Sequence, residues 1–457
     1  MRQHLLKIGV SGIRGVVGEF LTPALATAFA HAFGTYIGRG LVVVGRDTRR
    51  SGPMLQHAVH CGLLAAGCEV LDIGITPTPT LQIFIAHSRA RGGLSITASH
   101  NPQEYNALKL FNGEGLFFNH YERAELLDIY HQGEFYRARN QEIGNVQQDW
   151  VSAPQLHLER VLRQVDVEAI RARRFRVALD GVNGAGSRMS CELLGNRLNC
   201  ELTAIHVDPE QAFPRNPEPK PETLHELADL VRRSHADIGF AQDPDGDRLA
   251  VADENGEILD NDDVLALVVD AVLERVAGDV VVNLTTSQVI DDVARRHGRK
   301  VWRTPVGEAN VIETMKAVPT AIGGEGSNGG IIFPAVHLCR DSYTGMSFLL
   351  NRLAATGLRV SELRARLPRY VRRAGSMPYG RGSLPALLRQ LEAEFPDAVA
   401  DRSDGLKLSW PDCWVHVRSS NTEPVLRIAT EARESDTAQR LYGRIVRLVQ
   451  QLGGLSV

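Results

Sequence analysis

Between residues 41 and 97, short β-branched runs alternate with longer helix-compatible stretches: 41–44, 69–73 and 93–97 read as strands, 54–66 and 80–87 as helices. Strands separated by stretches of that length read as β-α-β units, so the alternation predicts a largely parallel sheet flanked by helices. The rhythm returns twice more. A run at 175–179 enters the glycine-rich turn 180–186 and a run at 236–241 enters a carboxylate-rich turn, while 279–283, 287–297 and 300–303 repeat strand, helix, strand. The full 457 residues exceed what one core serves, and segments of about 100 residues each fit the usual domain size.

Past this pattern, an Arg-, Gly- and Pro-rich stretch at 366–383 reads as a linker. Strands are expected at 406–409, 413–418 and 425–430, then a helix from about 435 to 452 stopped by Gly453 and Gly454. On that helix Leu441, Ile445, Leu448 and Leu452 recur at three- and four-residue spacing, which predicts a core face. The expected fold class is α/β: three α/β domains of similar topology with mixed, largely parallel sheets at 1–150, 151–255 and 256–365, plus a smaller C-terminal α+β domain at 366–457.

Charge removes several functions. Acidic residues (54) balance Lys plus Arg (51) to a net −3, without the basic excess that phosphate-backbone binding requires, so no nucleic-acid partner is expected. Arg2, His4, Lys7 and Arg14 interrupt the N-terminal apolar stretches, which excludes a signal-peptide core there. The longest apolar run, 264–273, contains Asp270 and is about half a bilayer span, so no membrane insertion is expected. Six cysteines without a C-x-x-C pair point to a reducing cytoplasm, mostly buried thiols and no thiolate metal site.

Four segments carry chemistry. Thr97-Ala98-Ser99-His100-Asn101-Pro102 follows a strand and ends at a proline, placing Ser99 on a loop at a strand's C-terminal end. Such a serine beside a histidine can be phosphorylated or act as a nucleophile, and a polar turn is the plain alternative. Lys109, close by, reads equally as a surface charge. In Asp243-Pro244-Asp245-Gly246-Asp247-Arg248 three carboxylates alternate through a tight turn and repel one another unless a cation sits among them. An all-oxygen ligand set favours Mg²⁺, Ca²⁺ or Mn²⁺. The EF-hand fails, because its obligatory glycine position is Arg248 and the flanks read as strands; a solvated acidic turn remains. Gly324-Glu325-Gly326-Ser327-Asn328-Gly329-Gly330 fits a dinucleotide fingerprint in letters only, since a strand-like run and Pro334 follow where a helix is required. It reads as a polyol-binding loop or a plain turn. Finally, Arg418-Ser419-Ser420-Asn421-Thr422-Glu423-Pro424 with Arg427 brings guanidinium and hydroxyl groups onto one strand connection, suited to a phosphate dianion or explained by hairpin chemistry alone.

Taken in order, together with Ser11-Gly12-Ile13-Arg14-Gly15, these segments make the chain resemble the α-D-phosphohexomutase superfamily over its whole length. Lesser matches are 180–186, Phe213-Pro214 with 216–219, and Thr304-Pro305-Val306-Gly307. The resemblance implies four domains around a central cleft and an isomerase that moves a phosphoryl group between the 6- and 1-hydroxyls of a hexose. It implies Ser99 as the phosphoserine and Mg²⁺ held by Ser99, Asp243, Asp245 and Asp247. Arg14, Lys109 and Arg248 are implied near the transferring group, and Lys109 or His100, both close to Ser99 in sequence, is expected as a catalytic residue assisting proton transfer. Glu325, Ser327, Thr304 and Gly307 are implied for the sugar, and Arg418, Ser420, Asn421, Thr422 and Arg427 for the idle phosphate. The resemblance also implies a hexose 1,6-bisphosphate as intermediate and a small sugar phosphate as partner, and the chain is expected as a monomer or homodimer. Many bacterial members end the sugar loop in a histidine, whereas this chain has Ser327-Asn328-Gly329-Gly330, closer to archaeal-type phosphoglucosamine and phosphomannose mutases. Glucosamine phosphate is therefore the expected substrate, with mannose or glucose phosphate next, and His337 or Arg340-Asp341 as stand-ins for the absent histidine. A phosphatase or a non-catalytic sugar-phosphate binder ranks below.

Overall fold

Val42 and Val44 point into one apolar cluster and Val43 into another, the two-residue period of a strand whose faces are both covered. Their strand, Gly40–Arg46, lies inside a sheet that runs edge to edge as Lys7–Gly9, Gly12–Val16, Tyr105–Asn112, Gly92–Ile96, Gly40–Arg46, Cys68–Ile75 and Val146–Gln148. Pairing is parallel from Gly92–Ile96 through Val146–Gln148 and antiparallel on the other side. Helices Pro23–Tyr36 and Gly52–Ala65 bring Phe29, Phe33, Leu55, Val59 and Leu63 to the first face, and Thr78–Ala86 brings Leu81 and Ile85 to the second. Gly12 must be glycine: its φ is +105° and a Cβ would sit 1.8 Å from the Leu108 carbonyl oxygen.

This computed structural model describes residues 7–9, 12–379, 383–420 and 425–452. They divide into two compact units, 1–264 with 329–363, and 265–328 with 364–457. The first unit also holds a sheet ordered Leu249–Ala252, Ile238–Gln242, Arg176–Asp180, Glu201–Ile205, parallel except for the antiparallel hairpin that closes at 243–248. Leu227 and Val231 of helix His225–Ser234 pack on Ala178, Ala241 and Ala252 of that sheet. Helix Ser342–Thr356 belongs to this unit as well, capped by Asp341, which accepts from the amides of Tyr343 and Thr344.

In the second unit, Asp279–Asn283 lies between Val301–Thr304 and Thr320–Glu325, parallel to both. A separate antiparallel sheet runs Val371–Pro378, Val425–Ala432, Cys413–Ser419, Leu406–Trp410, Val399–Asp401. Leu387 and Leu391 of one helix and Ile445 and Val449 of Ser435–Leu452 cover it. The α/β class with an antiparallel C-terminal domain is thus as the sequence predicts.

Two readings are corrected. The stretch 366–383 is no linker: Val371–Pro378 pairs with Val425–Ala432 as an edge strand. Edge strands carry polar and charged residues that blunt their open side, and Arg372, Arg373, Ser376 and Pro378 gave this one the composition of a connector. Nor are the thiols mostly buried. Cys68, Cys200 and Cys339 are buried, Cys191 and Cys413 half-buried and Cys61 exposed, and none forms a disulfide among the described residues. The tail helix does place Ile445 in the core with Leu441 and Leu448 against it, while the Leu452 side chain and Gly453 and Gly454 lie outside the described residues. The run 264–273 falls in helix Asn261–Leu273, and no helix among the described residues is long and apolar enough to cross a membrane.

Candidate active site

Ser99 sits just past the C-terminal end of strand Gly92–Ile96, buried, with φ at +50°. A non-glycine residue in that left-handed region needs its surroundings to hold it there. Its Oγ donates to Asp243 Oδ2 at 2.8 Å and lies 3.3 Å from His100 Nδ1. Beneath the loop lie Asp47 and Arg49, which sequence reasoning overlooked, and Thr97 of the same motif, all fully buried. Only the juxtaposition of two loops reveals Asp47 and Arg49, which stand in none of the motifs read from the sequence.

Asp243, Asp245 and Asp247 are buried on the hairpin turn, and an oxygen from each falls within 4.8 Å of the others. Cations ring them. Lys109 Nζ is 2.6 Å from Asp245 Oδ2 and 3.7 Å from Asp247 Oδ2, Arg340 Nη2 donates to Asp247 Oδ2 at 2.6 Å, and Arg248 Nε is 3.9 Å from Asp247 Oδ1. Thr78, also unforeseen, donates its amide to the Asp245 carbonyl and its hydroxyl to Asp245 Oδ2. Even so, Oδ1 of Asp245 and Oδ1 of Asp247 are buried with no hydrogen-bond donor among the described residues. Unpartnered carboxylate oxygens converging in a buried pocket fit a hard divalent cation.

The electrostatics follow from crowding. Burial, then the charges of Asp247 and Asp245, push Asp243 well above the carboxylate range. Burial alone would raise Asp245 too, but Lys109, Asp243 and Thr78 hold it below its ordinary value. Lys109 is likewise opposed by burial, yet Asp245 and Asp247 raise it and keep it an ammonium. Arg14, on a strand paired antiparallel with that of Lys109, is lowered by burial and by Arg248 nearby. Burial and the neighbouring Arg248, Arg14 and Arg340 take His100 down to about 2, so it is a neutral imidazole at neutral pH.

Of the residues after the sugar loop, Arg340 reaches the carboxylate turn and His337 does not. The half-buried His337 faces the Gly115 carbonyl at 3.4 Å, and desolvation lowers it to about 4. Asp341 accepts from the amide of Tyr343 and faces the buried His157 at 3.1 Å, a structural arrangement.

The second unit gathers the other predicted residues. Glu325 Oε1 accepts from Asn283 Nδ2 at 2.9 Å and from the Gly307 amide at 3.0 Å, which fixes its buried carboxylate at the end of strand Thr320–Glu325. Thr304 is turned onto the Pro305 carbonyl, and Ser327 lies half-buried in the 3₁₀ turn Gly326–Asn328. Arg418 and Arg427 face each other across adjacent strands, an unfavourable like-charge pair that an anion would relieve. The Ser420 amide donates to the Val425 carbonyl, while Asn421 and Thr422 lie outside the described residues.

Models of four successive domains match this chain: phosphoglucomutase/phosphomannomutase alpha/beta/alpha domain I over residues 5–137, domain II over 155–256, domain III over 260–370 and the C-terminal domain over 385–448. A phosphoglucomutase/phosphomannomutase of Thermococcus kodakarensis is 39% identical over 97% of the chain and 98% of its own length. A probable phosphoglucosamine mutase of Methanopyrus kandleri is 39% identical over 97% of each. Among solved structures, a phosphoglucomutase/phosphomannomutase family protein of Burkholderia thailandensis superposes with a TM-score of 0.84 at 26% identity, covering 97% of each chain. Likeness that spans the whole length in sequence, in domain order and in fold leaves one assignment: the chain belongs to the phosphoglucomutase/phosphomannomutase family, whose members are isomerases acting as intramolecular phosphotransferases.

Proposed function

We propose that this enzyme interconverts hexose 6-phosphate and hexose 1-phosphate through a phosphoserine at Ser99 and a hexose 1,6-bisphosphate intermediate, with glucosamine phosphate as the preferred substrate. The observation that carries the reading is Ser99 Oγ set 2.8 Å from Asp243 in a cluster whose Asp245 and Asp247 each keep an orphaned oxygen. Asp243, Asp245 and Asp247, with a phosphate oxygen on Ser99, would hold Mg²⁺. Bound there, the ion supplies Lewis-acid neutralisation of charge on the transferring group.

The chain's own groups do the rest. Phosphoryl transfer needs positioning and electrostatic relief more than covalent assistance. Lys109 stays protonated against Asp245 and Asp247, and Arg14 and Arg248 add charge beside them. In the forward half-reaction the bond between phosphorus and Ser99 Oγ breaks as the sugar hydroxyl oxygen takes the phosphoryl group and gives up its proton, leaving Ser99 as a hydroxyl. In the return half-reaction Ser99 Oγ gives up that proton and takes the phosphoryl group from the other end of the bisphosphate, whose oxygen is left as a sugar hydroxyl. For the proton we favour His100 over Lys109, because its Nδ1 lies 3.3 Å from Ser99 Oγ while the Lys109 ammonium is committed to carboxylates.

To the second unit the reading assigns recognition: Glu325 and Ser327 for sugar hydroxyls, Thr304 and Gly307 for the loop beside them, and Arg418, Ser420, Asn421, Thr422 and Arg427 for the phosphate that is not reacting. Support comes from the held Glu325 carboxylate and the facing Arg418 and Arg427. Preference for glucosamine phosphate rests on the glycine-rich sugar loop and on the M. kandleri relative's name. Four domains near 1–150, 151–255, 256–365 and 366–457 and a reducing, cytoplasmic setting complete the proposal. The test is conversion of glucosamine, mannose and glucose 6-phosphates with Mg²⁺ and a trace of bisphosphate, for native protein beside Ser99→Ala. Fast turnover of glucosamine 6-phosphate, abolished in the variant, is expected; no turnover of any of the three by protein phosphorylated on Ser99 would refute it.

A further inference from the structure

We propose that Arg49, Asp47 and Thr97 form a positioning device that holds the Ser99 nucleophile in its left-handed backbone conformation; the proposal rests on the reading of Ser99 as the phosphoryl carrier. The geometry is unusually complete. A guanidinium has five N–H donors in a rigid fork. On Arg49 all five are used: Nε donates to Asp47 Oδ2 at 2.9 Å, Nη1 to the carbonyls of Pro102 (2.5 Å) and Tyr105 (2.9 Å), and Nη2 to those of Ser99 and Asn101, both at 2.7 Å. Four carbonyls of the nucleophile loop thus converge on one buried side chain.

Asp47 fixes that fork and connects it to the other end of Ser99. Its Oδ1 accepts from the Arg49 amide at 3.0 Å and its Oδ2 from Thr97 Oγ1 at 2.7 Å. The Thr97 hydroxyl oxygen in turn accepts from the Ser99 amide at 3.0 Å. Both backbone polar groups of Ser99 are therefore tied into one network, its carbonyl through Arg49 and its amide through Thr97. From the other side the Phe213 ring lies 5.1 Å from the guanidinium carbon, and the Phe213 amide donates to Gln103 of the same loop at 3.4 Å. None of these side chains hydrogen-bonds Ser99 Oγ or the three aspartates; they grip the nucleophile by its backbone, while the charges of Arg49 and Asp47 also reach Arg14 and Asp245.

A network of this kind has a specific use in a carrier that gives and takes the same group twice per cycle. Ser99 Oγ must return to one position each time, and a backbone free to relax out of the left-handed region would swing it away from Asp243. Lysine in place of Arg49 keeps the charge but offers three donors for five acceptors, and valine in place of Thr97 keeps the shape but deletes the link to the amide.

The experiment uses the full chain with Mg²⁺. Rates of Ser99 phosphorylation by glucose 1,6-bisphosphate are followed by intact mass, beside kcat and KM for glucosamine 6-phosphate and the thermal midpoint. Misplacement of a reacting atom by about 1 Å costs on the order of a hundredfold, so Thr97→Val is expected to lose about that much in phosphorylation rate and kcat, with KM changed less than about threefold. Thr97→Ser, which restores the hydroxyl, should return close to native rates, and Arg49→Lys should behave as Thr97→Val if it folds. A Thr97→Val enzyme as fast as native, or a Thr97→Ser enzyme as slow as Thr97→Val, overturns the positioning role. A native protein that takes no phosphoryl group on Ser99 refutes the mutase reading itself, which separates the two failures.

Discussion

Replacing Lys109 with methionine removes a cation from between two buried carboxylates while leaving much of the apolar stem in place. The ammonium is 2.6 Å from Asp245 and 3.7 Å from Asp247, with side-chain exposures of 3%, 0% and 2%. Deleting one partner of a buried pair typically costs about 3–5 kcal/mol, because the remaining charge keeps its desolvation penalty and loses its compensation. At ~2–4 °C per kcal/mol in domains of moderate size, the thermal midpoint of Lys109→Met in EDTA should fall by at least ~6 °C. Saturating Mg²⁺ should recover part of that loss, since a divalent ion at the orphaned Asp245 and Asp247 oxygens supplies the missing positive charge. Thermal unfolding of native and variant protein, each with EDTA and with Mg²⁺, tests both statements. Equal midpoints in EDTA would refute the coupling of Lys109 to the cluster, and an identical Mg²⁺ shift in both proteins would refute the carboxylates as the ion's seat.

Other perturbations give sharper local answers. The Asp180 hydrogen bond raises His206 above 6.5, so its contribution to stability is complete below that pH and is lost as pH rises through the raised value. Urea unfolding should therefore show native protein losing up to about 1 kcal/mol on that rise, with a flatter profile for His206→Asn, and parallel profiles would remove the pair from the account. Against burial, His206 and Arg215 hold Asp180 below 3.8, so its share is present above that pH and is lost as pH falls through the lowered value. Gly184→Ala places a Cβ 2.7 Å from the Pro244 carbonyl oxygen, on the metal turn but on no ligand. Mg²⁺ affinity by calorimetry should drop about tenfold, as for other changes behind a ligand set, and unchanged affinity would mean the turn shifts freely. Asp341→Asn should cost about 1–3 kcal/mol in urea unfolding, because the Asp341 carboxylate both caps helix Ser342–Thr356 and faces buried His157.

Much of this was legible in the chain itself, for identifiable reasons. Valine runs bounded by turn residues gave the parallel strands, and a carboxylate triplet across Pro244 and Gly246 had few physical explanations besides a cation. Ser99 and Lys109 gained meaning only from their order relative to the other motifs. What stayed hidden depends on contacts far apart in sequence. Arg49 lies 50 residues from Ser99 and Thr78 lies 167 from Asp245, and neither stands in a motif that marks it. Arg340 and His337 are three positions apart in one loop, yet backbone direction sends one to Asp247 and the other to Gly115. The edge strand Val371–Pro378 was missed because an edge strand and a connector share a composition.

Chain partition has an evolutionary consequence. Every group assigned to bond making and breaking, Ser99, His100, Lys109, Arg14, Arg248 and the three aspartates, lies within 1–264, whereas the candidate determinants of sugar and idle phosphate lie in 265–328 and 364–457. Segments 1–264 and 364–457 have apolar clusters of their own, and 265–328 has its own parallel strands. On that assignment, changes toward a different hexose could accumulate in one part of the chain without rebuilding the groups assigned to phosphoryl transfer. Relatives equally similar to this chain bear different sugar names, and exchanging 265–328 between two of them would test whether that segment carries the choice of sugar.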